Sequence, residues 1–147
     1  MESYKHILLA VDFFEQAQVV VDRATALAET YHATLSVIHV VDGMPLPDVG
    51  YGLEVAYDVD LTSEMIAAAK RRLSDLAKKL GLEEDRIWVE LGSPKLEITR
   101  VAEENQVDLI VVGSHGRHGL ALLLGSTANG VLHHAKCDVL AVRLQDN

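Results

Sequence analysis

Four short stretches of the chain are apolar almost without interruption: His6 to Val11, Leu35 to Val41, Leu109 to Val112 and Val139 to Leu144. They are rich in Val, Ile and Leu, and their apolarity is continuous rather than alternating. That is the pattern of strands buried on both faces, as in a parallel sheet. A fifth stretch, Arg86 to Leu91, alternates more and reads as an edge strand. Between these stretches apolar residues recur at helical spacing. One run extends from Glu15 to Tyr31 through Val20, Val21, Ala24 and Ala28, another from Thr62 to Leu80 through Ile66, Ala69, Leu73 and Leu76. Gly81 follows the second as a C-terminal stop. Ser93-Pro94 opens a third helix, with Ser as N-cap, Pro as the first helical residue and Ile98, Val101 and Ala102 on the buried face. Ser126 to Ala135 reads as a fourth. Strands alternating with helices predict an α/β domain, a five-stranded parallel open sheet with helices on both faces. Asp42 to Leu61 breaks the pattern. It carries Gly43, Pro45, Pro47, Gly50 and Gly52 without periodicity, and is expected to be a loop, either adaptable chain or a lid.

The 147 residues suit one domain spanning 1–147, and a chain of this length buries roughly 70% of its unfolded surface without metal or disulfide support. The net charge of −9 repels phosphate backbones, and two Phe, four Tyr and one Trp are too scattered for a base-stacking platform. Nucleic acid is therefore not an expected partner. Cys137 is the single cysteine, which excludes an intramolecular disulfide and a CxxC pair. Apolar runs such as Asp108 to Gly113 fall far short of the about 20 residues of a membrane span. The opening Met-Glu-Ser-Tyr-Lys-His has no secretory apolar region, so the expected compartment is the cytoplasm.

In an open parallel sheet, ligands bind beyond the carboxyl ends of the strands where the winding reverses. The commonest small-domain order sets the first and fourth strands side by side there. Asp12 ends the first, and Gly113-Ser114-His115-Gly116 ends the fourth. Glycines let backbone amides approach an anion closely, and Gly125-Ser126-Thr127 leads into a helix whose free N–H groups and positive dipole end suit phosphate. Arg117, His115 and His118 add positive charge. Two readings stay open on these residues: a phosphate site, or glycines that serve loop geometry with Ser126 only as an N-cap. No Walker A motif is present, since five residues separate Gly119 from Gly125 and no Lys follows, and Val11-Asp12-Phe13-Phe14 is not a GxGxxG turn.

Taken together, Tyr4 to Asp12, Leu35 to Val40, Gly92-Ser93-Pro94, Asp108 to Gly116, Gly125-Ser126 and Cys137 to Val142 resemble the universal stress protein (UspA-like) family over essentially the whole chain. The resemblance implies a Rossmann-like fold with strand order 3-2-1-4-5, a homodimer, and in one subclass bound ATP. The motif of that subclass is Gly, two residues, Gly, nine residues, Gly, then Ser or Thr. Gly113, Gly116, Gly125 and Ser126 match it, but eight residues separate Gly116 from Gly125, one fewer than the motif. By position, Asp12 and the backbone of Ala10 and Val40 would frame adenine and ribose. Val112, Gly113 and Gly116 would line the ribose and α-phosphate, and Gly125, Ser126 and Thr127 would hold the phosphates, with Arg117 nearby. Mg²⁺ would arrive with the phosphates, the protein supplying no metal ligands of its own. The resemblance also implies a regulatory target, such as a membrane transporter.

No catalytic residue can be named. Ser126 lacks a GxSxG elbow, and no second carboxylate is tied to Asp12 by a motif. His115 and His118 stand three apart in a glycine-rich loop without thiol or carboxylate neighbours, a poor zinc set. His133-His134 reads as a helix-end pair, and His39 as a packed residue or pocket wall. Lys70-Arg71-Arg72 reads as a solvated helix face or a partner patch. The leading expectation is an ATP-binding regulatory protein. The alternatives are a non-nucleotide interaction protein of the same fold, and a slow ATPase or autophosphorylating enzyme. Asp138 to Leu144, an apolar edge strand without Pro, is expected to be covered or to pair with a second copy.

Overall fold

The computed structural model describes residues 3–13, 17–42, 52–114 and 125–144, with 52–60 as helical backbone. The strands are β1 (His6–Ala10), β2 (Thr34–Val41), β3 (Ile87–Leu91), β4 (Leu109–Gly113) and β5 (Asp138–Val142). The helices are α1 (Ala17–Tyr31), α2 (Gly52–Leu80), α3 (Pro94–Glu104) and α4 (Ser126–His134). The sheet order is β3-β2-β1-β4-β5, and every pairing is parallel. Ile7 stands opposite Leu35 on one side and Leu109 on the other. The expected α/β architecture and strand order are the observed ones.

The alternation of side chains along a strand divides the core in two. Ile7, Leu9, Val37 and Val111 pack with Val20, Val21 and Ala24 of α1 and Leu73 of α2. Leu8, Ile38, Ile110 and Val112 pack with Ile98, Val101 and Ala102 of α3 and Ala128 and Val131 of α4. Both faces of β1 and β4 are therefore apolar, which is why no alternation was visible there. Strand β3 lies at an edge and is only partly buried along its length, matching its mixed sequence.

One boundary differs from expectation. Helix α2 begins at Gly52, not Thr62, so the last ten residues of the expected loop are helical. The cluster of Gly and Pro ends at Gly52. From Leu53 to Leu80 the chain carries neither, and Glu54 falls in the first turn, where a carboxylate suits the positive end of a helix. The rest of that expected loop, 43–51, lies outside the described residues, and so does the lid reading. Gly81 does end α2, in the left-handed region at φ 71°, while the Leu82 N–H reaches back to the Ala77 carbonyl at 2.8 Å. Ser93 occupies the α3 N-cap with Pro94 as the first helical residue. Its side chain makes no capping bond, and its carbonyl receives the Glu97 N–H at 2.9 Å.

The amino edge of the sheet is tied by side chains. The Asp108 carboxylate accepts the N–H groups of Lys5 (2.8 Å) and His6 (3.0 Å), joining β1 to β4, and the Tyr4 hydroxyl donates to Asp138 at 2.7 Å. His6 Nδ1 lies 3.1 Å from the Asn105 carbonyl, which can only accept, so Nδ1 carries the proton. Nε2 then accepts from the Ser36 hydroxyl at 2.7 Å. Burial pushes the imidazole below its ordinary value and outweighs the Asn105 carbonyl, which favours the charged ring. A His whose folded pKa is depressed adds stability that is full above its unfolded value of about 6.5 and is lost as pH falls below it. Thermal melting is expected to fall between about pH 7.5 and pH 5.5, and His6→Gln should flatten that slope. An unchanged slope in the variant would remove His6 as its source.

Candidate functional site

Right-handed crossovers carry the chain from β1 toward β2 on one face of the sheet and from β4 toward β5 on the other. The connections diverge at the carboxyl ends of β1 and β4 and leave a cavity of about 230 Å³. Ala10, Val11 and Asp12 line it from the end of β1, Ile38, His39 and Val40 from β2, and Val112 and Gly113 from β4. The first turns of three helices complete it: Ala17 and Val20 of α1, Pro94 and Ile98 of α3, and Ser126, Thr127 and Ala128 of α4 with Gly125 before them. Leu144 closes the floor beyond β5.

The β1 side is held by main chain and rings. The Val11 N–H donates to the Ile38 carbonyl at 2.9 Å. The Val11 carbonyl lies 2.7 Å from His39 Nδ1, which must therefore be the protonated ring nitrogen. His39 is thus both of the things expected of it, a hydrogen-bonded packed residue and a cavity wall. Asp12 is exposed and faces the cavity from the next position. Phe13 then turns into the left-handed region at φ 64°. Its ring sits 4.6 Å from the His39 ring, and the Arg72 guanidinium lies 5.5 Å from its centroid. Lys70, Arg71 and Arg72 are all exposed on α2, as a solvated face requires, but Arg72 also rests on this ring.

The β4 side is organised by Ser114, which is buried. Its N–H donates to the Val142 carbonyl at 2.8 Å, its hydroxyl oxygen accepts the Leu144 N–H at 3.0 Å, and its carbonyl accepts the Gly125 N–H at 2.6 Å. One residue thus joins the ends of β4 and β5 and closes the base of the 115–124 segment. Gly125 is the N-cap of α4 and its carbonyl receives the Asn129 N–H at 2.9 Å. Ser126 is the first helical residue, not the cap, so a purely capping role for Ser126 does not hold. The first N–H groups of a helix have no intrahelical partner, and with the dipole they make the mouth of α4 electropositive without any charged side chain. An added Cβ at Gly113 would come within 3.1 Å of Leu144 and 3.5 Å of Val20, so glycine at this position answers a packing need.

The cavity brings together Ala10, Asp12, Val40, Val112, Gly113, Gly125, Ser126 and Thr127 from the expected set. Gly116 and Arg117, with His115 and His118, lie outside the described residues. Pro94, Ile98 and Leu144 of its lining were not anticipated, nor was the joining role of Ser114, which lies in the expected Gly113 to Gly116 stretch but does not line the cavity. The Ser93-Pro94 helix start marked α3 without showing that its first turn would reach the cavity. Among the described residues no group of three or more His, Cys, Asp or Glu could hold a metal ion, and no helix is long and apolar enough to cross a membrane. Cys137 is half-buried, and its thiol is pushed up to about 11, chiefly by burial.

A fold wound in this order, with its cavity between a strand-ending aspartate and a Gly-Ser helix mouth, defines a class of small α/β proteins. The model of the universal stress protein family matches residues 3–143. Universal stress protein A homolog 2 of Coxiella burnetii is 42% identical over 146 residues, covering 99% of both chains. The solved universal stress protein UspA from Lactobacillus plantarum superposes with a TM-score of 0.84 at 26% identity, over 97% of this chain and all of that one. A universal stress protein solved in complex with cAMP matches with a TM-score of 0.63 at 28% identity, over 96% and 98% of the two chains. The chain belongs to the universal stress protein family.

The two helices that supply Pro94, Ile98 and Ser126 to Ala128 approach each other at Gly130. An added Cβ there would lie 2.7 Å from the Cβ of Lys95 and 2.5 Å from its Cδ. Ala in place of Gly gains about 1 kcal/mol of helix propensity, but forcing packed elements apart costs about 1–3 kcal/mol. Since the Lys95 Cβ cannot swing away, the second effect should win. Gly130→Ala is expected to destabilise by about 1 kcal/mol in urea unfolding, whereas Asn129→Ala, on the exposed side of α4, should not. A Gly130→Ala variant more stable than wild type would show that this crossing is loose.

Proposed function

We propose that this protein is a regulatory nucleotide-binding member of its family. ATP would lie across the carboxyl ends of β1 and β4, and its occupancy would change oligomer state or partner choice. The observation that carries the reading is the convergence in one cavity of a carboxylate at the end of β1 and an electropositive helix mouth beyond β4. Asp12 would accept hydrogen bonds from the ribose or adenine end. The N–H groups and hydroxyls of Ser126 and Thr127 would donate to phosphate oxygens, with Gly116 and Arg117 contributing from the loop. Mg²⁺ would be carried by the phosphates. The cAMP complex of a relative supports an adenine nucleotide as the ligand class. We assign no catalytic residue, so any hydrolysis would be slow and incidental. The proposed setting is the cytoplasm, with a regulatory target such as a membrane transporter.

Calorimetry with ATP, and with cAMP in parallel, tests the ligand. Gly116→Val should abolish ATP binding at unchanged melting temperature, because a branched Cβ would stand in the phosphate path. Ser126→Ala should weaken it roughly threefold to tenfold, since the helix amides remain. Wild-type protein that binds neither nucleotide would leave the family's interaction role without a nucleotide as the surviving reading.

We further propose that β5 pairs with the same strand of a second copy about a two-fold axis. The support is its edge position and the half-buried row Val139, Leu140 and Ala141. Each main-chain hydrogen bond gained contributes about 0.5–1.5 kcal/mol net, so apolar burial must supply much of the affinity. Light scattering should report a dimer at micromolar concentration, on which higher oligomers could build. Ala141→Pro should shift it toward monomer. A monomeric wild type rejects the pairing.

A further inference from the structure

We propose that Phe13 is a positioning residue for Asp12, acting through a contact that links α2 to the end of β1. The inference rests on the nucleotide reading above and names what orients its carboxylate. A bulky residue with φ of 64° is a true outlier, since the left-handed region costs an L-residue with a large side chain free energy that something else must offset. The offset is visible. The Phe13 ring packs against the core beneath α1 and α2, tilts at 48° against the His39 ring, and carries the Arg72 guanidinium near its face.

The placement is specific to one side chain. Val11, before Asp12, is held by two hydrogen bonds, one to the Ile38 carbonyl and one from His39 Nδ1. Phe13, after Asp12, is held by its ring against that same His39. The backbone carrying Asp12 is therefore pinned on both sides by one imidazole, while Asp12 itself lines the cavity. Neither Phe13 nor Arg72 lines the cavity. Phe13 is uncharged and off the cavity wall, so it acts on a ligand there through the backbone it holds. Arg72 lies on α2, the helix that follows 43–51, so it ties the geometry of Asp12 to an element otherwise remote from the site. Prepaid orientation of this kind shows itself as affinity, because a ligand need not order the group it meets.

Glycine adopts the Phe13 backbone angles without strain, so Phe13→Gly removes the ring while leaving the turn accessible. ATP affinity by calorimetry is expected to fall about tenfold in Phe13→Gly and to be retained in Phe13→Tyr. Arg72→Met, at an exposed position where folding is not at issue, should lower it roughly threefold. The decisive reading is the cycle with Asp12→Asn. If Phe13 acts through Asp12, the double variant binds no worse than Asp12→Asn alone, whereas a general loosening of the fold would add its loss to that of Asp12→Asn. Wild-type affinity in both Phe13→Gly and Arg72→Met, or additive losses in the cycle, overturns this inference and leaves the nucleotide reading standing. Wild-type protein without affinity for ATP overturns both.

Discussion

Strands β1 and β4 are apolar on both faces, and their side-by-side burial constrains everything around them. A strand covered on both sides must have helices above and below it. Parallel neighbours cannot be joined by a hairpin, so each connection must cross over. With right-handed crossovers, winding outward through β2 and β3 puts α1 and α2 on one face. The return through β4 and β5 puts α3 and α4 on the other. The reversal between β1 and β4 is then unavoidable, and so is a crevice where their connections part. The cavity is a by-product of burying Ile7, Leu8, Leu9, Ile110 and Val111, and its chemistry is whatever the chain places at those two strand ends.

What is placed there differs in kind from one side to the other. On the β1 side a carboxylate is presented by a backbone pinned through an imidazole, an aromatic ring and an arginine on a distant helix. On the β4 side the chemistry belongs to the main chain: a glycine cap, a helix start and the Ser114 carbonyl that closes the loop base. Positive potential at a helix mouth comes from peptide dipoles, so it does not titrate near neutrality. It also survives within a chain of net charge −9. A protein this acidic can still offer an anion a local seat.

Much of this was legible from the order of residues. Continuous apolarity marked β1, β2 and β4 as buried strands, but it also marked β5, which lies half-buried at an edge; mixed apolarity marked β3 as an edge, and Gly81 and Ser93-Pro94 marked helix ends that the structure keeps. The start of α2 was misread because the Gly and Pro cluster before Gly52 dominated its window, although the residues after it suit a helix. Phe13 entered the sequence reading only as part of Val11-Asp12-Phe13-Phe14, a stretch that is not a GxGxxG turn. Nothing local distinguishes an aromatic ring that fills the core from one held in a left-handed turn by Arg72, 59 positions away.

The sequence by itself determined which residues are buried and how the elements alternate, because both follow from the local period of side-chain direction, two along a strand and 3.6 along a helix. Tertiary structure alone decided which buried residues meet. Ser114 became the joint of β4, β5 and α4, and Gly130 became the close crossing of α3 and α4. Gly113 makes room for Leu144, and His39 pins both flanks of Asp12. Each of these depends on distances between segments far apart along the chain. Such distances are set by packing the whole sheet and its helices at once, so no single stretch of residues contains them.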